Sequence, residues 1–160
     1  MAFEPIIIEE WIHDTLTADT TLTGYLAINN KVPGYQKGIY LHIAPDQDPV
    51  SNKIPEVPYV VISHVGNFKQ DDIVLCGDTA FTYHNYKITV WYRQKGAVSF
   101  SKLKNISDRV DFLLNNKKIT TTSPNFTTRR LGATNILDNS ADGRIDYGMV
   151  LSYEIITVSR

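Results

Sequence analysis

The feature that most limits what this chain can fold into is a pair of alternating stretches. Tyr86, Ile88, Val90 and Tyr92 fall at every second position, with Lys87, Thr89, Trp91 and Arg93 between them. Ile145, Tyr147, Met149, Leu151, Tyr153 and Ile155 repeat the pattern near the end of the chain. A period of two sends each set to one side of a strand, which suits an antiparallel sheet with one face on a core. Tyr59–Val65 adds a β-branched run between Pro58 and Gly66, and Thr127–Leu137 adds a Thr-rich strand. Asp138 to Gly143 is turn chemistry, so the last two strands are expected to form a hairpin.

Helical spacing appears in two places. Ile8, Trp11, Ile12 and Leu16 share one face behind Pro5, and Asp19 can cap a second short turn carrying Leu22, Tyr25 and Leu26. Leu103, Ile106, Val110, Leu113 and Leu114 line one side of Ser99–Asn116, with Lys102, Lys104, Asp108, Arg109 and Asp111 on the wet side. Between these lies a proline-rich stretch, Asn29–Pro58, whose one plausible strand is Ile39–Ile43. Asn67–Thr82 is less regular and reads as a hairpin arm or a mobile loop. The expectation is a single α+β domain over residues 1–160: an antiparallel sheet of about four main strands with helices packed on one face.

Composition closes several routes. With 42% hydrophobic and 21% charged residues, disorder is excluded. Sixteen basic against 17 acidic side chains argue against a chain-wide nucleic-acid binder. The lone cysteine, Cys76, excludes an intrachain disulfide framework and a Cys-rich zinc site. Met1–Glu10 lacks the basic start of a signal peptide, and no apolar run reaches membrane-helix length, so a cytoplasmic chain without a membrane partner is expected. The charge is unevenly placed. Residues 1–80 hold four basic and eleven acidic side chains, a net of -7; residues 81–160 hold twelve and six, a net of +6. Either the halves neutralise each other within one fold, or they meet between subunits arranged head to tail.

Catalytic signatures are missing. The sequence has no phosphate loop, no G-x-S-x-G elbow and no H-E-x-x-H. A Cys76 nucleophile would need His64 or His84 beside it in space. His13, His42, His64 and His84 are too widely spaced to read as a zinc set. Asp138, Ser140, Asp142, Gly143 and Asp146 imitate a calcium loop, but Met149 stands where the two-oxygen ligand belongs. Asn105 and Asn125 open sequons that mean nothing without secretion. Lys117, Lys118, Arg129 and Arg130 make either a basic patch or a charged sheet edge. No enzyme activity, cofactor or metal is expected.

The layout resembles the tail-terminator (tail-completion) proteins of tailed bacteriophages. The likeness is dispersed over nearly the whole chain. It runs through the helix ending in Asp19-Thr20-Thr21-Leu22, Gly38-Ile39-Tyr40, Ala44-Pro45, and Pro58-Tyr59-Val60-Val61-Ile62. It continues through the strand Tyr86–Tyr92, the helix Ser99–Asn116, an Arg-containing strand and the strand Tyr147–Ile156. Gly-Ile-Tyr with the Pro-Tyr strand is its most specific part. This chain is longer than many members, in Gln47–Val57 and Asn67–Thr82.

The resemblance implies a virion protein at the tail–neck junction, assembled in the bacterial host cytoplasm. It would form a ring, typically a hexamer, that stops tube polymerisation and offers the head-joining surface. Its partners would be its own copies, the tail tube protein and a neck or head-completion protein, with DNA passing through the bore without specific binding. Candidate intersubunit or tube contacts are Asp46, Asp48, Asp71 and Asp72 on one side and Lys102, Lys104, Lys117, Lys118, Arg129 and Arg130 on the other. The alternatives are a head-completion or stopper protein, or a small ligand-binding or enzymatic module.

Overall fold

The computed structural model describes residues 4–26, 38–42, 58–70, 80–93, 99–121, 125–139 and 145–159. Helix α1 runs Glu4–Ala18 and α2 Thr20–Tyr25. Strands β1 (Ile39–Leu41), β2 (Tyr59–Gln70) and β3 (Ala80–Arg93) follow, then helix α3 (Ser99–Leu114). Strands β4 (Lys118–Ile119), β5 (Asn125–Asn139) and β6 (Ile145–Ser159) complete the described part.

The expected sheet of about four antiparallel strands, backed on one face by helices, is not what forms. Among the described residues strand dominates, and the strands build a mixed six-stranded sheet in the order β1-β2-β3-β6-β5-β4. β1 pairs with β2 in parallel, Ile39 to Val60 and Leu41 to Ile62, and the other neighbours are antiparallel. Two features explain the difference. Ile39–Leu41 is bracketed by Gly38 and His42, both with left-handed backbone, at φ 74° and 67°. These end the strand after three residues, yet leave it long enough for backbone bonds from Val60 N to Gly38 O and from His42 N to Ile62 O. The second feature is the range 67–82, read as less regular, a hairpin arm or a mobile loop. Its described ends are hairpin arms: β2 runs on to Gln70, which pairs with Phe81, and β3 begins at Ala80, which pairs with Ser159 of β6.

The periodicities place the core. Tyr86, Ile88 and Val90 are buried with Leu151, Tyr153 and Ile155 on the adjacent strand. Ile8, Ile12 and Leu16 of α1, and Leu103, Ile106, Val110 and Leu114 of α3, join the same cluster. Polar atoms tie the helices down. The buried Tyr86 hydroxyl donates to Pro5 O at 3.1 Å, and Tyr153 Oη donates to Asp111 Oδ1 at 3.1 Å. Burial raises both phenol pKa values, so they stay protonated donors throughout the neutral range. Thr128 clamps the end of α3: its hydroxyl donates to Leu114 O and accepts from Lys117 N. Asn116 at φ 54° supplies the left-handed residue that stops α3 there.

Gly148 sits mid-strand on β6 for a packing reason. A Cβ there would lie 2.6 Å from Ile136 Cγ1 and 3.2 Å from Trp91 Cε3. Bulges shift the register of β2 between His64 and Gly66, and of β5 between Arg130 and Gly132. The extra residues, Val65 and Leu131, are both exposed.

Candidate functional site

The six basic candidates are all described, and their surroundings divide them. Lys104 pairs with Asp108 one turn along α3. Arg129 reaches Glu154 on the neighbouring strand at 2.6 Å, and Arg130 reaches Asp111 of α3 at 3.0 Å. These three are neutralised within the chain by acids of its own second half. Lys102 and Lys118 are exposed. The Lys117 ammonium lies 5.1 Å from the centre of the Phe112 ring, and Arg109 approaches the same ring at 4.9 Å. Phe112 is 63% exposed, so the two cations flank a surface aromatic. Asp46, Asp48, Asp71 and Asp72 lie outside the described residues.

One ion pair does cross between the acidic and basic halves. Arg109 of α3 grips Asp19 with two parallel bonds, Nε to Oδ1 at 3.0 Å and Nη2 to Oδ2 at 2.5 Å. Asp19 is the cap expected from the sequence and accepts from Leu22 N at 2.7 Å. Nothing in the local spacing pointed to Arg109, because the two residues meet only when α2 packs on α3. The guanidinium, ahead of the cap bond, holds the Asp19 carboxyl below its ordinary value of 3.8.

A depressed carboxyl stabilises the fold above its unfolded value, and that contribution fades as pH drops through the folded value. Asp19→Ala is expected to cost about 1–2 kcal/mol near neutral pH, from the lost cap and the lost pair. Urea unfolding of both proteins from pH 7 to pH 2 measures it. The gap between them should begin to narrow as pH falls below about 3.8, the ordinary value, and go on narrowing toward the lower folded value; a gap that stays constant to pH 2 would contradict the assignment.

The chemical candidates fare differently. Cys76 lies outside the described residues. The His64 and His84 rings are 6.3 Å apart, on the same face as Tyr86. His84 is fully buried, with Nε2 3.2 Å from Thr157 Oγ1. His42 reaches Glu9 at 3.3 Å. Among the described residues no three of His, Cys, Asp and Glu come together as a metal set. Of the calcium-like loop, residues 140–144 lie outside the described part. Asp146 is engaged by Arg93 through two bonds, at 2.8 and 3.0 Å, and its backbone pairs with Asp138 in a hairpin. No described helix is long and apolar enough to cross a membrane.

No protein-family model matches the chain, and no curated protein matches it. Solved structures do. One match is a chain in the virion of the native gene transfer agent particle, with a TM-score of 0.57 at 16% identity, covering 91% of this chain and 91% of that one. The two chains share their fold along nearly their whole length.

Proposed function

We propose that this chain is a structural protein of a tailed virion. It forms a ring on the end of the tail tube, stops tube growth and presents the surface that joins the head. The observation that carries the reading is the whole-length fold shared with a component of a gene transfer agent virion. The tail-terminator resemblance of the sequence narrows it to the tube end. The mechanism is occupancy: one face copies the tube's own interface, and the other offers no template for a further tube ring. Catalysis has no part in it.

The charge distribution supports contacts between copies. Arg109 to Asp19 is the crossing between the halves seen among the described ion pairs, while other second-half acids are held by second-half bases. Lys102, Lys117 and Lys118 are then the cations offered to a neighbour's acidic half, with Asp46, Asp48, Asp71 and Asp72 as their counterparts. Exposed pairs of this kind set register and speed docking more than they add affinity.

The deciding experiment images particles assembled without this protein. Overlong tails are expected. Tails of normal length that fail to join heads would assign it to head completion instead. A second measurement follows ring formation against salt. Screening shortens the reach of exposed charges to about 3 Å at 1 M salt, so assembly should weaken; assembly indifferent to salt would remove the charge-pairing account.

A further inference from the structure

We draw no further inference here: the strongest candidate, the surface patch at the end of α3 where the 63% exposed Phe112 ring lies beside Arg109 and Lys117, carries nothing, because Arg109 is already held by Asp19 and nothing in the structure shows what covers the ring.

Discussion

Val110→Asp is expected to cost more than about 4 kcal/mol of stability. Val110 is fully buried on α3, in the cluster with Ile106, Leu114 and the sheet residues. An aspartate there loses the burial of the valine side chain, about 1.5–3 kcal/mol, and either buries an unpaired charge or must be protonated to fold. Together these exceed about 4 kcal/mol, a large part of the 5–15 kcal/mol that holds a typical domain. Circular dichroism melting tests it. A variant melting within a few degrees of the parent would show that this face of α3 is not core. Lys102→Asp, on the exposed side of the same helix, is the matched control and should move stability by less than about 0.5 kcal/mol.

Phe126→Ala is expected to cost about 3–5 kcal/mol. The ring is 2% exposed and meets the edge of Trp11 with centroids 5.1 Å apart, so it locks the N-terminal helix α1 to β5 at the far end of the sequence. The comparison that gives the number meaning is Phe112→Ala. That ring is equally large but 63% exposed beside Arg109 and Lys117, and its loss should leave the melting temperature nearly unchanged. Chemical denaturation of both variants measures the difference. Similar losses at the two positions would mean that Phe112 is covered in the folded protein and would remove it from the assembly surface.

Local signals were legible where neighbours in the sequence determine the outcome. The Asp19 cap, the buried face of α3 and the alternation along β3 and β6 each depend on spacing within one element, and each stands where spacing put it. The hairpin of β5 and β6 follows from the turn residues between them. What spacing could not show was pairing. Ile39–Leu41 becomes a parallel edge strand only because Val60–Ile62 is there to receive it. Phe68 to Gln70 and Ala80 to Thr82 hold few apolar repeats, and they are extended because each pairs with the other. Lys118–Ile119 is too short to carry any pattern, and Thr128 recruits it. The candidate contacts fared similarly. Nothing near Arg129 or Arg130 in the sequence reveals Glu154 or Asp111, yet those acids occupy the two arginines in the folded chain.

The strand order has a consequence for how this protein comes into being. β3 and β6 are neighbours at the middle of the sheet, with Ala80 opposite Ser159 and Arg93 opposite Asp146. Their union closes a loop that contains α3, β4 and β5. Each hairpin, β2–β3 and β5–β6, can zip from its own turn within microseconds to milliseconds, but joining them must wait for a distant encounter. Until β6 has left the ribosome, the first hairpin has one apolar face and a bare central edge. Folding should accordingly be slow for a chain of this size, in milliseconds to seconds, with the docking of the two hairpins as its rate-limiting event.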